Sequence, residues 1–202
     1  MKLLSNPLSP FGRKVSLVIA LKGLSDRVEV VGVDTNPGNS GVINEANPLG
    51  KIPILLVDDG KRLFDSPVIC EYLDDLAPAP VLFPKAGPER WAVLTLGALG
   101  DGILEAALLL VYEKRFRPED KWHPPWQQRQ EAKIDRALDE LERSLPAALA
   151  SPHYGHVTIA CALGYLDFRH AGTWRAKHPN LVAWLDRFAA AVPAFALTRP
   201  PA

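Results

Sequence analysis

The feature that most constrains the fold is a proline-rich segment at residues 77–88, with the sequence APAPVLFPKAGP. Four of the chain's 19 prolines lie here, and proline interrupts both helices and central strands. Strand-like and helix-like patterns alternate before this segment, whereas only helical patterns follow it. We therefore predict two domains, residues 1–77 and 88–202, joined by a linker at 78–87.

The first domain is predicted to have the element order β-α-β-α-β-β-α. Ser9-Pro10 begins the first helix, because serine is a favoured N-cap and proline is tolerated at the first helical position. Asp59-Gly60 marks a hairpin turn. Strands that alternate with helices predict a partly parallel sheet, to which the hairpin adds an antiparallel edge. The predicted strands are 2–5, 28–33, 52–57 and 61–64, and the predicted helices are 9–22, 41–47 and one that follows Asp65-Ser66-Pro67.

The second domain is predicted to be all-α, because its apolar residues recur at helical spacing. In the second of its helices these are Ile134, Leu138, Leu141, Leu145 and Leu149. Glycines at 97, 100 and 102 weaken the middle of the first helix. The predicted helices are 88–115, 126–149, 157–168 and 179–191, with a loop at 116–125.

Composition narrows the classes of function. Lys+Arg and Asp+Glu are both 23, and this zero formal charge argues against a broad nucleic-acid surface. We expect no membrane span, since the sequence shows no uninterrupted apolar stretch of the roughly 18–20 residues required. We also expect no secretory signal, and hence a cytoplasmic protein. Cys70 and Cys161 lie far apart without metal-ligand spacing, which predicts buried, reduced thiols.

Four local signatures occur along the chain: SPFGRKV at 9–15, NPLGKIPIL at 47–55, DSPVICEYL at 65–73 and HVTIACALGYLDF at 156–168. Together they look like the cytosolic glutathione transferase superfamily, of the bacterial, serine-type kind. The resemblance covers essentially the whole chain. It implies a thioredoxin-like N-terminal domain, an all-helical C-terminal domain, a homodimer, and glutathione as a substrate.

Ser9 has two interpretations. The residues alone favour a helix N-cap and nothing more. The resemblance places this helix start opposite the sulfur of glutathione, where a serine hydroxyl donates to the thiolate and the helix terminus adds partial positive charge. Lowering a thiol pKa of about 8.5 by about two units stabilises the thiolate by about 2.7 kcal/mol. A serine cannot exchange disulfides, so glutaredoxin-like activity is disfavoured. For Arg13 we favour a structural role over a contribution to the positive potential.

The segment at Lys51-Ile52-Pro53 also has two interpretations. The residues alone predict a trans proline, since only about 5–6% of X–Pro bonds are cis. The resemblance implies that Pro53 is cis and that the N–H and C=O of Ile52 pair with the cysteinyl backbone of glutathione. Lys51 is either a solvated lysine or a partner of the glycyl carboxylate.

Without the resemblance, Asp65 and Ser66 are typical of the cap of a helix. The resemblance implies that they bind the γ-glutamyl end of glutathione. The hydroxyl and backbone N–H of Ser66 suit its α-carboxylate, because a helix start is an anion site. The carboxylate of Asp65 suits its α-ammonium.

The family pattern begins the fourth signature with a Ser/Thr-x-x-Asp capping box. Here that pattern reads Thr158 to Cys161, and we predict a weakened cap because Cys161 cannot return the second hydrogen bond.

A pocket for the second substrate is expected between the domains. Its candidates are Phe11, Tyr112, Phe116 and Trp122, although aromatic residues at such spacings commonly belong to a core. The five histidines show no close metal spacing, so we predict no metal.

The resemblance therefore implies a glutathione transferase that conjugates the glutathione thiolate to a small hydrophobic electrophile, as in detoxification. Its predicted partners are these two substrates and a second copy of the chain, with no nucleic acid and no membrane. Two alternatives remain open. One is a binding protein of the same fold without catalysis, and the other is glutathione-dependent isomerisation, dehalogenation or peroxide reduction on the same scaffold.

Overall fold

The computed structural model describes residues 1–36, 38–146 and 151–201, which form two compact units. The first unit is Met1–Arg90 together with the chain from Val192 onward, and the second is Trp91–Ala191. The linker boundaries at 78 and 87 stay a prediction. The elements up to residue 75 are β1 (Lys2–Ser5), α1 (Pro10–Leu21), β2 (Glu29–Gly32), α2 (Gly41–Ala46), β3 (Ile54–Leu56), β4 (Arg62–Leu63) and α3 (Ser66–Asp75). The later helices are α4 (Gly87–Phe116), α5 (Pro124–Arg143), α6 (Tyr154–Arg169), α7 (Pro179–Ala191) and α8 (Ala194–Leu197), with 3-10 turns at Glu119–Lys121 and Thr173–Ala176.

A mixed four-stranded sheet, with the strand order β2-β1-β3-β4, forms the centre of the first unit. β1 pairs with β2 in parallel, whereas the β1–β3 and β3–β4 pairs are antiparallel. Leu3, Leu4, Ile54 and Leu55 of the central strands are at most 4% exposed. The predicted element order and the mixed sheet are confirmed.

A buried carboxylate holds part of the proline-rich segment against the first unit. Asp74 of α3 forms an ion pair with Lys22 at 2.8 Å. Its two oxygens also accept hydrogen bonds from the backbone N–H groups of Leu82 at 2.9 Å and Phe83 at 3.0 Å. The side chains of Leu82 and Phe83 are buried, so residues 82 and 83 belong to the core of this unit.

The glycines of α4 allow close packing and do not interrupt the helix, which is continuous over 30 residues. A Cβ atom added at Gly97 would lie 2.4 Å from Cε1 of Tyr154, and one at Gly100 would lie 2.8 Å from Cγ2 of Thr158. Helix α6 therefore packs so closely against α4 that only glycine fits at these two positions.

The same helix corrects the expectation about membrane spans. By length and composition alone α4 is apolar enough to cross a membrane, and 44% of its most apolar window is buried inside the protein. Core helices of soluble proteins pass the same test, so this finding is weak evidence for a membrane segment. Cys70 and Cys161 are both buried and neither is part of a disulfide, as predicted.

The predicted end of the helix at 126–149 is wrong. Helix α5 ends at Arg143, and the following Ser144 is already non-helical. Pro146 accounts for this end, because proline disfavours the helical conformation of the residue before it, here Leu145. The last predicted turn, with Leu149, lies outside the described residues.

The predicted start of the fourth signature helix is also wrong. Helix α6 begins at Tyr154, and its capping box is formed by two histidines. Nδ1 of His153 accepts from the N–H of His156 at 3.3 Å, and Nδ1 of His156 accepts from the N–H of His153 at 3.2 Å. Thr158 lies inside the helix, where its hydroxyl donates to the Tyr154 carbonyl at 3.0 Å. The weakened cap predicted at Thr158 therefore does not form.

Candidate functional site

The strand register brings three signature segments to one edge of the sheet. Leu4, near the carboxyl end of β1, pairs with Ile54 at the amino end of β3, and Leu55 pairs with Leu63 at the carboxyl end of β4. Because neighbouring antiparallel strands point in opposite directions, the segments after β1, before β3 and after β4 leave the sheet at the same edge. Those segments carry Ser9, Ile52-Pro53 and Asp65-Ser66.

Ser9 is the N-cap of α1. Its Oγ accepts a hydrogen bond from the backbone N–H of Gly12 at 3.2 Å, and its carbonyl accepts from the N–H of Arg13 at 2.9 Å. A hydroxyl has two acceptor lone pairs and one proton to donate. Capping occupies one lone pair, so the cap is compatible with donation of the Ser9 proton to a ligand.

Gly12 allows the first turn of α1 to lie directly on the end of β1. A Cβ atom at this position would lie 2.0 Å from Oγ of Ser5, the last residue of β1. Ser5 is itself buried. The absence of a side chain at Gly12 therefore sets the height of Ser9 above the sheet.

An Asn-Pro-Leu turn leads into Ser9. Oδ1 of Asn6 accepts from the N–H of Leu8 at 2.9 Å, and the Asn6 carbonyl accepts from the N–H of Ser9 at 2.8 Å. Nδ2 of Asn6 donates to the Val33 carbonyl at 3.0 Å. One side chain thus ties the loop before Ser9 to the end of β2.

A second Asn-Pro-Leu turn, closed by the same two local hydrogen bonds, leads into Ile52. Oδ1 of Asn47 accepts from the N–H of Leu49 at 3.0 Å, its carbonyl accepts from Gly50 at 2.9 Å, and its Nδ2 donates to the Lys51 carbonyl at 2.9 Å. The sequence analysis missed both asparagines as positioning residues. The available signal was the tripeptide itself, which occurs twice and whose Asn-Pro step favours a turn.

The Ile52–Pro53 peptide bond is cis, as the resemblance implies. The β1–β3 ladder begins at the Leu4–Ile54 pair, so Ile52 precedes the paired residues and its N–H and C=O lie outside the ladder. Ile52 is half-buried, Pro53 is buried, and the Lys51 side chain is exposed. The turn thus offers backbone groups, with a cation next to them in the chain.

Asp65 occupies the N-cap position of α3, but its side chain makes no capping hydrogen bond. Only its backbone participates, through the carbonyl that accepts from the N–H of Ile69 at 3.0 Å. The Asp65 side chain is exposed, whereas Ser66 beside it is buried. The carboxylate therefore remains open to solvent and to a ligand.

Of the predicted pocket residues, the structure brings two together. The rings of Tyr112 and Phe116 on α4 meet edge to face, with their centroids 5.0 Å apart, and both side chains are exposed. Trp122 instead donates its indole N–H to the Arg117 carbonyl at 3.1 Å. Phe11 lies half-buried on α1 in the first unit.

In the ranges that the structure describes, no group of three or more His, Cys, Asp or Glu residues is placed to hold a metal ion.

One phenol in the second unit titrates unusually, because burial raises the pKa of Tyr165 to about 12. Tyr165 therefore remains neutral near pH 7.

Comparison with known proteins identifies the family. Residues 8–76 match the model of the glutathione S-transferase N-terminal domain, and residues 124–187 match that of its C-terminal domain. An Escherichia coli K12 protein named "Uncharacterized GST-like protein YibF" is 36% identical over 205 residues, which cover 100% of this chain and 99% of that protein. The chain belongs to the glutathione S-transferase family.

Solved structures support the fold of this glutathione S-transferase family member. A glutathione transferase family member from Pseudomonas fluorescens Pf-5, with bound glutathione, is 42% identical with a TM-score of 0.94, over 100% of this chain and 99% of the other. A glutathione S-transferase from Methylobacillus flagellatus KT, with glutathione bound, is 33% identical with a TM-score of 0.90, over 99% of both chains. The predicted thioredoxin-like N-terminal domain and helical C-terminal domain are confirmed.

Proposed function

We propose that this protein binds glutathione on its first unit and conjugates the glutathione thiolate to a small hydrophobic electrophile. The observation that carries the proposal is the convergence of Ser9, Ile52 and Asp65-Ser66 at one sheet edge. The two relatives with bound glutathione, matched over essentially their full length, support the choice of ligand.

In this proposal, each part of glutathione binds to a protein group of complementary charge or hydrogen-bonding capacity. The backbone N–H and C=O of Ile52 pair with the cysteinyl backbone, which requires groups outside the sheet ladder. The exposed carboxylate of Asp65 binds the α-ammonium. Ser66, at the start of α3, binds the α-carboxylate with the help of the helix terminus. Lys51 is proposed to neutralise the glycyl carboxylate.

Ser9 supplies the chemistry of the sulfur. Its hydroxyl donates a hydrogen bond to the sulfur, which favours the thiolate over the thiol. The thiol proton leaves to solvent. The thiolate lone pair then forms a C–S bond at the electrophilic carbon, and the displaced group departs with its bonding electron pair.

The second substrate is proposed to contact aromatic side chains. The adjacent rings of Tyr112 and Phe116 are the main candidates, since exposed aromatic groups suit an apolar electrophile. Phe11 and Trp122 complete the proposed set. The proposal includes a role in detoxification in the cytoplasm.

We also propose a homodimer. Trp91 and Leu109 of α4 are 66% and 39% exposed, and large exposed apolar side chains suit burial against a second copy. Light scattering behind size exclusion is expected to give twice the mass of the chain. A single-chain mass at micromolar concentration would contradict the dimer.

The first test is a calorimetric titration with reduced glutathione near pH 7, followed by an activity screen with activated aryl halides and other electrophiles. We expect a Kd in the micromolar to low millimolar range and formation of a thioether. Ser9→Ala is expected to retain glutathione affinity and to lose up to about 100-fold in kcat, corresponding to about two units of thiol pKa.

The exposed serine of the first unit, Ser25, provides the matched control, because Ser25→Ala removes a hydroxyl elsewhere. Absence of binding at several millimolar glutathione would contradict the proposed ligand. Binding without thioether formation from any electrophile would favour the non-catalytic alternative. Unchanged turnover of Ser9→Ala would remove Ser9 from the mechanism.

A further inference from the structure

We propose that Arg13 is a positioning residue for Ser9, and that the C-terminal helix α8 holds it in place. Arg13 is buried, and its Nη2 donates to the Phe195 carbonyl at 2.8 Å across 182 residues of sequence. The Arg13 guanidinium also lies 4.2 Å from the centroid of the Phe195 ring. A charge-assisted hydrogen bond and a cation–π contact therefore act on the same pair of residues.

Arg13 is connected to Ser9 by one helical turn. Its backbone N–H donates to the Ser9 carbonyl at 2.9 Å, next to the bond from Gly12 to the Ser9 hydroxyl. A helical turn closed by such bonds moves as one piece. A side chain that holds the Cα atom of Arg13 therefore also restrains Ser9.

Ser9 is thus restrained from three directions. Asn6 holds the loop before it, Ser5 lies under Gly12, and Phe195 holds Arg13 behind it. The third restraint comes from α8, which belongs to the same compact unit as α1. A hydroxyl that stabilises a thiolate must remain within hydrogen-bond reach of the sulfur, and a misplacement of about 1 Å can lower a rate about 100-fold.

This inference rests on the proposed function, so the test measures the state of the bound sulfur directly. Ultraviolet absorbance of the thiolate, recorded against pH, gives the pKa of glutathione bound to the full-length protein. Arg13→Met removes the donors and the charge while keeping an extended side chain. We expect it to raise the pKa of the bound thiol by about one unit and to lower kcat about threefold near pH 7, with the loss approaching about tenfold at pH values below the wild-type pKa.

The Michaelis constant for glutathione is expected to change less than about twofold, because the proposed binding groups lie on other elements. Arg13→Lys keeps a cationic donor toward the Phe195 carbonyl, so the pKa of the bound thiol is expected to return part of the way to its wild-type value. Phe195→Leu keeps the carbonyl and removes the ring. It is therefore expected to raise the pKa of the bound thiol as well, but by less than Arg13→Met does. Arg90→Met is the matched control, since Arg90 also bonds a backbone carbonyl of the first unit, that of Pro84.

The outcomes separate the two proposals. A wild-type protein that shows no thiolate overturns the proposed function and this inference with it. If the wild-type protein binds glutathione as a thiolate and Arg13→Met leaves the thiol pKa unchanged, while losing as much stability as Arg90→Met, this inference alone is overturned. If Arg13→Met does not fold, Phe195→Leu decides, and an unchanged thiol pKa in that variant overturns the role of α8.

Discussion

Helices α1 and α3 begin with similar sequences but use their first polar residue differently. Both starts place a polar side chain before a proline in the first turn. The Ser9 side chain accepts a hydrogen bond from its own helix, whereas the Asp65 side chain does not. The first turn of α1 lies against Ser5, while that of α3 leaves Val68 exposed. A shared N-terminal pattern thus predicts where a helix starts, but not whether the capping side chain is free for a ligand.

The largest expected effect is a loss of glutathione binding at the start of α3, with little change in the free energy of unfolding. Asp65→Asn removes the negative charge proposed to bind the α-ammonium of glutathione. We expect the Kd for glutathione to rise about 10- to 100-fold, the range of a hydrogen bond to a charged group. The free energy of unfolding is expected to change by less than about 1 kcal/mol, since the side chain makes no cap bond. An unaltered Kd in calorimetry would remove Asp65 from the site.

The next effect is at the third residue after each polar start. Gly12→Ala places a methyl group against Ser5, and overpacking of this kind lowers the free energy of unfolding by about 1–3 kcal/mol. Urea denaturation measures the change. Wild-type stability in Gly12→Ala would show that Ser5 moves aside without loss.

Val68→Ala is the corresponding change in α3 and provides the comparison. Val68 is 49% exposed, so the expected change is within about 0.5 kcal/mol in the monomeric unit. Equal losses of unfolding free energy in Gly12→Ala and Val68→Ala would contradict the difference in packing between the starts of α1 and α3.

A smaller effect is expected from the cap itself. Ser9→Ala removes the acceptor of the Gly12 N–H and is expected to lower the free energy of unfolding by about 1 kcal/mol. Asp65→Ala, measured by the same denaturation, lacks this loss because its side chain bonds no helical N–H. A larger loss in Asp65→Ala than in Ser9→Ala would reverse the assignment of the two caps.

The smallest effect concerns a third type of helix start, the histidine box of α6. Burial lowers the pKa of His153 below its usual 6.5, so the folded state favours the neutral ring. Its contribution to stability is therefore complete above pH 6.5 and falls as the pH decreases through the lowered pKa. Protonation also converts the accepting Nδ1 into a donor and places a positive charge at a helix N-terminus.

Denaturation at about pH 7.5 and about pH 5.5 measures this loss, which we expect to be below about 1 kcal/mol. His153→Asn keeps a capping acceptor without a titrating ring and is expected to reduce the difference between the two pH values. An unchanged pH dependence in His153→Asn would exclude His153 as its source.

Local patterns predicted most of the secondary structure because local contacts decide it. The Ser9 cap, the Asp59-Gly60 hairpin and the order of strands and helices depend on residues a few positions apart. The two errors in the second unit have local causes as well. Histidine is an unusual capping residue, so the sequence pattern indicates a start of α6 that is too late. The apolar periodicity of α5 continues past Leu145, although Pro146 disfavours a helical conformation there.

Local sequence was sufficient for the two-part organisation and for the starts of α1 and α3, and it encodes the two Asn-Pro-Leu turns, since each follows from dihedral preferences and neighbouring hydrogen bonds. Tertiary structure alone decided which of these features meet. The strand register places Ser9, Ile52 and Asp65 at one edge, and α8 reaches Arg13 across 182 residues. Such pairings depend on contacts between distant parts of the chain, and local periodicity contains no information about the partner of a buried side chain.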